Sequence, residues 1–204
     1  MLNKGGIDMK VYENTPQATN QSRGISNKQQ DNFNTNHVND SRKDSVNLHF
    51  ETALKALDAG LSTIPPRMDG SKAPIAEWKP FQKICPTTSD LNNWYIKGQT
   101  GVGLICGAVS SNLECLDFDS HEVWEQYKQL AKDTGLWDLV KRVAYGYSEQ
   151  TPNGFHLLYK CPLIEGNKKL AQGKDKKTLI ETRGEGGFII VSPSSGNVNP
   201  AGSY

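Results

Sequence analysis

Apolar residues recur at a helical period in three segments of the chain. The first covers residues 48–57 and ends before Gly60, a residue type that favours the left-handed backbone at a helix C-terminus. The second is a short helix that begins after the capping residues 87–90 and ends at Gly98. The third covers residues 121–134, with Gly135 after it. The pattern therefore predicts three amphipathic helices.

Short apolar or alternating runs predict strands between and after these helices. The predicted strands cover residues 61–64, 102–106, 113–118, 142–148, 155–159, 178–183 and 188–191. Turn residues, among them Asn153-Gly154 and the glycine-rich run 184–187, separate the later strands. The order of helix, strand, helix, two strands, helix and a final meander predicts an α+β fold with a largely antiparallel sheet.

The first 46 residues are rich in Asn, Gln and Ser and show no sustained period. Such a segment cannot bury enough apolar surface to offset the entropy lost on ordering. We therefore expect a disordered arm over residues 1–46 and one folded domain over residues 47–204. The sequence stops at Tyr204 after a turn-rich stretch with no closing element, so we expect this domain to be truncated at its C-terminal end.

Composition narrows the class of protein. The 204 residues include 23 Lys and Arg against 22 Asp and Glu, a net charge of +1 that excludes a histone-like polycation. The sequence has no run of about 18 apolar residues and no secretory signal, so we expect a cytoplasmic protein with no membrane partner. The four cysteines lack the spacing of metal ligands, which argues against a structural zinc site.

The sharpest chemical feature is the acidic end of the third predicted strand. Residues two apart on a strand share a face, so Asp117 and Asp119 project together, about 7 Å apart along the backbone. Leu116 and Phe118 face the other side. Two neighbouring carboxylates repel each other, and a hard divalent ion such as Mg²⁺ or Mn²⁺ can offset that repulsion. Alternatively, the acids only cap the next helix, where Ser120 is the N-cap.

Two further clusters place polar side chains on predicted strands. His156 follows the turn Thr151-Pro-Asn-Gly and alternates with apolar neighbours, although a single strand histidine is most often structural. Glu181 and Arg183 share a strand face, which puts a third carboxylate beside a guanidinium. Taken alone, such a pair is most often a surface ion pair of little consequence.

A lysine-rich run lies between the last two clusters. It has two readings, a solvated loop or a surface that follows the phosphate backbone of a template strand. The sequence pattern favours the loop. Its lysines are Lys168, Lys169, Lys174, Lys176 and Lys177.

Taken in order, these motifs resemble a known family. They look like the bifunctional primase-polymerase domain of the archaeo-eukaryotic primase superfamily. The motifs that carry this resemblance are an acidic pair ending a strand, a Thr-Pro-x-Gly-x-His turn, a carboxylate-x-Arg-Gly strand, a Gly-Gly hairpin and a Pro-Ser turn. The upstream segment Lys72-Ala-Pro with Trp78, and residues 101–107, also match the family. Glu181 stands where Asp is commoner, and a single proline precedes Ser194 where two are usual.

The resemblance implies both a fold and a set of site residues. The fold is a primase-like α+β core with an RRM-like, metal-bearing sheet and an N-terminal α/β unit. In the family, two strand aspartates and a later acid bind divalent metal at the polymerisation site, which implies these roles for Asp117, Asp119 and Glu181. The family histidine lies beside the phosphates of the incoming nucleotide, a role that falls on His156. Arg183 and Lys72 are the other cationic candidates for binding a triphosphate.

The implied function is that of a template-dependent DNA primase and DNA polymerase of a plasmid, phage or mobile element. Its partners would be a single-stranded DNA template, nucleotides, and a helicase in the same or another chain. Two alternatives stay open. One is a metal-dependent nuclease, because Asp117 followed by Glu181-Thr-Arg183 imitates an acid plus Glu-x-Lys motif, although arginine cannot deprotonate to activate water. The other is a non-catalytic module that binds nucleic acid.

Overall fold

The computed structural model describes the backbone of residues 41–204 and the side chains of residues 48–204. Most of the arm predicted for residues 1–46 lies outside the described residues. Its last part, residues 41–46, belongs to the first helix, which begins at Ser41. Within the described residues, no helix has the length and the apolar character that a membrane crossing requires.

Residues 41–204 contain four α-helices and eight strands. The helices are α1 (Ser41–Asp58), α2 (Thr88–Tyr95), α3 (His121–Asp133) and α4 (Trp137–Gly146). The strands are β1 (Ser62–Ile64), β2 (Val102–Ile105), β3 (Leu113–Phe118), β4 (Tyr147–Gln150), β5 (Phe155–Lys160), β6 (Lys168–Gln172), β7 (Thr178–Arg183) and β8 (Phe188–Val191).

The strands form two antiparallel sheets. The larger one has the order β4-β5-β3-β7-β6, so β3 lies at its centre. The smaller one has the order β1-β2-β8. The predicted N-terminal α/β unit therefore corresponds to α1, β1, α2 and β2, but β8, from the far end of the sequence, completes its sheet. The α+β fold with antiparallel sheets is confirmed.

Two hydrophobic cores form on opposite faces of the larger sheet. The first lies against α1, α2 and the smaller sheet, and on β3 it includes Leu113 and Cys115. The second lies against α3 and α4, and on β3 it includes Leu116 and Phe118. This alternation confirms that Leu116 and Phe118 point away from Asp117. On β3 the next residue after Cys115 on the same face is Asp117, so a polar site begins where the first core ends.

Residues 142–148 were predicted as a strand, and most of that prediction is wrong. Residues 142–146 belong to α4, and only Tyr147 and Ser148 are in a strand, β4. Val140 is buried in the second core, and Trp137, Val143 and Ala144 pack against the same core. Their spacing is helical. Within residues 142–148, polar and apolar residues also alternate locally, and this alternation is typical of a strand.

The lysine-rich run, predicted as a loop, begins with a strand. Lys168–Gln172 forms β6, which pairs with β7 at the open edge of the larger sheet. Four of its five residues are exposed. A strand on the edge of a sheet with little burial has no alternation of apolar residues to reveal it, so polar composition indicated a loop.

Candidate active site

One row of polar side chains crosses the larger sheet. Asp117 on β3 lies opposite His156 on β5 and opposite Glu181 on β7. The row continues to Glu149 on β4, opposite His156, and to Lys169 on β6, opposite Glu181. Side chains that are directly opposite on neighbouring strands share a face, with Cβ atoms about 4.5–5.5 Å apart. Register alone therefore groups residues that are far apart in the sequence.

A cavity of about 150 Å³ opens over this row. All six residues predicted for the site line it, together with polar side chains from two nearby turns. The predicted residues are Lys72, Asp117, Asp119, His156, Glu181 and Arg183. The other lining residues include Thr151, Asn153, Thr178, Asn199 and Tyr204. The structure thus brings the whole predicted set into one pocket.

The His156 ring lies between two carboxylates. Its Nδ1 atom is 2.9 Å from Oε1 of Glu149, and its Nε2 atom is 3.5 Å from Oδ1 of Asp117. Burial favours the neutral ring, but the contacts with Asp117 and Glu149 outweigh burial and raise the pKa of His156 to about 9. The ring is therefore a cation at neutral pH, inside a pocket that also contains acidic groups.

Asp117 remains ionised despite its depth. Burial tends to raise the pKa of Asp117, but the hydrogen bond and charge of His156, together with the charge of Arg183, hold the pKa below its ordinary value. Arg183 Nε lies 3.5 Å from Asp117 Oδ2, and Arg183 Nη2 donates to Glu181 Oε1. One guanidinium thus spans the two carboxylates. Its buried Nε atom has no hydrogen-bond partner within the described residues.

Asp119 and Lys72 lie in more open parts of the pocket. Lys177, from the loop before β7, lies with its Nζ atom 2.6 Å from Oδ2 of Asp119. Ser120 is the N-cap of α3, as predicted, and its hydroxyl accepts a hydrogen bond from the Val123 N–H. Lys72 is exposed and has a φ angle of 58°.

The turn before β5 is anchored to the end of β3. Thr151 N–H donates to the Gly154 carbonyl over 3.0 Å, and Gly154 N–H donates to the Thr151 hydroxyl over 2.9 Å. A Cβ atom at Gly154 would lie 1.8 Å from the carbonyl oxygen of Phe118, so only glycine fits this close approach. Because His156 follows two residues later, the turn fixes where its ring enters the pocket.

The sequence pattern missed three residues here. Glu149 contacts His156 from β4, a strand with no apolar alternation, and only the register of β4 on β5 reveals it. Asn199 and Tyr204 come from the last turn of the described chain, and the Asn199 side-chain amide donates to the Tyr204 hydroxyl over 3.1 Å. The Tyr204 ring lies 6.3 Å from the His156 ring. No local motif marks them.

The acidic groups suit a hard divalent ion by their chemistry, because they offer only carboxylate oxygen. Among residues 48–204, no three or more His, Cys, Asp or Glu side chains already surround a common metal position. Each carboxylate faces a cation instead: Arg183 lies against Asp117 and Glu181, and Lys177 against Asp119. These two cationic side chains are 32% and 65% exposed.

One comparison with known proteins identifies a family for this chain. Residues 53–204 match the family described as bifunctional DNA primase/polymerase, N-terminal. The comparison with curated proteins gives no match. Such a domain implies DNA and nucleotide substrates and primase or polymerase activity in general terms, and enzymes of this family are generally metal-dependent. Since the match covers well over half of the sequence, the chain belongs to the Prim-Pol family, the N-terminal domains of bifunctional DNA primase/polymerases.

Proposed function

We propose that this domain carries out template-dependent nucleotidyl transfer, as a DNA primase and a DNA polymerase, in the pocket over β3. The observation that carries the proposal is the register of three neighbouring strands, which sets His156, Asp117 and Glu181 side by side under one cavity. A cation and two carboxylates on one rigid sheet match the needs of a reaction that binds a triphosphate and neutralises its leaving group.

We assign Asp117, Asp119 and Glu181 as the ligands of Mg²⁺ or Mn²⁺. Their support is shared access to one pocket and a donor set of carboxylate oxygen alone. When bound, the metal would make the primer hydroxyl more acidic and would neutralise charge on the leaving pyrophosphate. Glu181 is longer than the aspartate commoner in the family, and its position opposite Asp117 still puts its carboxylate in reach of the same pocket.

We assign His156, Arg183 and Lys72 to the nucleotide. His156 is cationic and nearly buried, so it offers a charge-assisted donor at a fixed place. Arg183 offers a planar fork of donors, and Lys72 offers an exposed charge at the pocket. A metal that binds the carboxylates would release Arg183 from Glu181 and leave its donors for the triphosphate.

By family resemblance alone, we further propose that the domain serves the replication of a plasmid, phage or mobile element in the cytoplasm. A helicase, in the same chain or separate, would then supply the single-stranded DNA template.

One assay separates this function from its rivals. The protein is incubated with a primed DNA template, nucleotides and Mn²⁺, and the labelled primer is followed on a gel, with a second reaction that contains no primer. A polymerase lengthens the primer and a primase makes new strands. A nuclease shortens the DNA, and a non-catalytic module only retains it. Shortening or mere retention would overturn the proposal.

A further inference from the structure

A buried carboxylate lies behind the histidine of the site. The Glu149 side chain is only 7% exposed, and Glu149 is not among the residues that line the pocket. It lies on β4, directly opposite His156, at the end of the polar row. Neither the family motifs nor the roles proposed above use it. A carboxylate at this depth is costly unless hydrogen bonds hold it, so its contacts indicate what it does.

Both oxygens of Glu149 accept hydrogen bonds. Oε2 accepts from the Tyr147 hydroxyl and from the Ser192 backbone N–H, each over 3.0 Å. Oε1 lies 2.9 Å from His156 Nδ1. Since the other oxygen of Glu149 already accepts two hydrogen bonds, we assign the hydrogen of this contact to Nδ1. The ring is thereby held with its other nitrogen, Nε2, on the side of Asp117 and the pocket.

We propose that Glu149 is a positioning residue for nucleotide binding, acting through His156. It fixes the orientation of the imidazole, so that Nε2–H is already oriented to donate a hydrogen bond to a triphosphate oxygen. This inference rests on the nucleotide role proposed above for His156. The same logic holds in metal sites, where an acidic partner fixes the ring of a ligand histidine, and loss of such a partner commonly lowers affinity 10- to 100-fold.

A purely structural role is the competing explanation. Ser192 directly follows β8, so the bond from its N–H to Glu149 also links the smaller sheet to the larger one. A residue that only links the sheets would change stability, and its effect on nucleotide binding would not depend on His156. The two explanations therefore differ in the coupling between Glu149 and His156.

A double-mutant cycle measures that coupling. The proteins are wild type, Glu149→Gln, His156→Asn and the double variant. For each, primer extension gives KM and kcat for the nucleotide, and calorimetric titration gives its affinity. Gln keeps the size of Glu149 but not its charge, and Asn keeps a donor near Nδ1 but lacks Nε2. We expect Glu149→Gln to raise the nucleotide KM roughly tenfold with kcat nearly unchanged, and to have no further effect once His156 is Asn.

Glu165→Gln is the matched control. Glu165 is 57% exposed and pairs with Lys168 outside the pocket. The nucleotide KM of the Glu165→Gln variant should therefore equal that of wild type. Equal KM increases from Glu149→Gln in both backgrounds, or no increase in either, would overturn the positioning role while leaving the proposed function intact. A wild type that binds no nucleotide would overturn the proposed function, and this inference with it.

If Glu149→Gln fails to fold, a measurement on the wild-type protein still tests the positioning role of Glu149. In ¹⁵N-labelled protein, the Nδ1–H of His156, assigned with His156→Asn, should give a downfield proton signal that exchanges slowly, because the carboxylate accepts it in a buried site. Absence of hydrogen on Nδ1 would overturn the inference without any variant of Glu149.

Discussion

Asp117 and Glu181 lie directly opposite each other on β3 and β7, and the guanidinium of Arg183 contacts both. Two carboxylates this close repel each other unless a cation lies between them. In the described structure that cation is arginine. If Asp117 and Glu181 bound a divalent metal, as proposed above, the metal would offset their repulsion and Arg183 would be free to contact the nucleotide.

The arginine gives the first prediction. Arg183→Lys keeps the positive charge but loses the planar fork of donors, so we expect a higher nucleotide KM, roughly tenfold, with a smaller change in kcat. Steady-state primer extension measures both constants. A Glu-x-Lys nuclease predicts the opposite, since lysine would complete its motif. A gain of DNA cleavage in this variant, with no extension by wild type, would contradict the polymerase assignment.

The raised pKa of His156 predicts how stability depends on pH. The pKa is about 9 in the folded protein and 6.5 ordinarily, so folding favours the protonated ring. This contribution, roughly 3 kcal/mol, is fully present below pH 6.5 and is lost as pH rises through 9. The wild type should therefore lose its advantage over His156→Asn across that range.

Urea unfolding of both proteins without metal, from pH 6 to pH 10, tests this expectation. Groups that titrate equally in the two proteins cancel in the difference between their free energies of unfolding. A difference that stays constant across the range would show that the ring is not held as a cation.

The close approach at Gly154 gives a prediction about stability. Gly154→Ala would force a Cβ atom against the Phe118 carbonyl, and we expect a loss of roughly 2–4 kcal/mol in unfolding free energy, together with a raised nucleotide KM because the turn positions His156. Gly146→Ala is the control, since a Cβ atom there has no neighbour within 4 Å. Thermal unfolding compares the two variants. Equal melting temperatures would show that the turn can relax.

The sequence pattern predicts those elements whose ends are set by neighbouring residues in the chain. Glycine and capping residues delimit the helices, and Thr87 forms the capping box at the start of α2. The acidic pair is predictable because Asp117 and Asp119 stand two residues apart at the end of a predicted strand and therefore share a face. The family and the α+β fold predicted from the ordered motifs are confirmed. The metal and nucleotide roles of the individual residues remain predictions.

What could not be predicted depends on contacts between distant segments. Glu149 became visible only through the pairing of β4 with β5, and β6 only through its pairing with β7 at an exposed edge. The segment 142–146 had both a helical and a strand-like pattern. Packing of Val140 and Val143 into the second core selects the helix. In each case a tertiary contact, rather than local preference, decides the structure.

Nucleotide incorporation by Asp117→Asn decides whether this pocket is a polymerase site. Asn keeps the shape of the side chain but removes the charge that would bind the metal, so transition-state stabilisation worth several kcal/mol should be lost. Primer extension with Mn²⁺ is measured for this variant, for wild type and for Asp138→Asn, which changes an exposed aspartate on α4. We expect extension by wild type and Asp138→Asn, and a reduction of at least about 1000-fold in Asp117→Asn, with its fold and DNA binding retained. Extension by Asp117→Asn at the wild-type rate would contradict the assignment of this pocket.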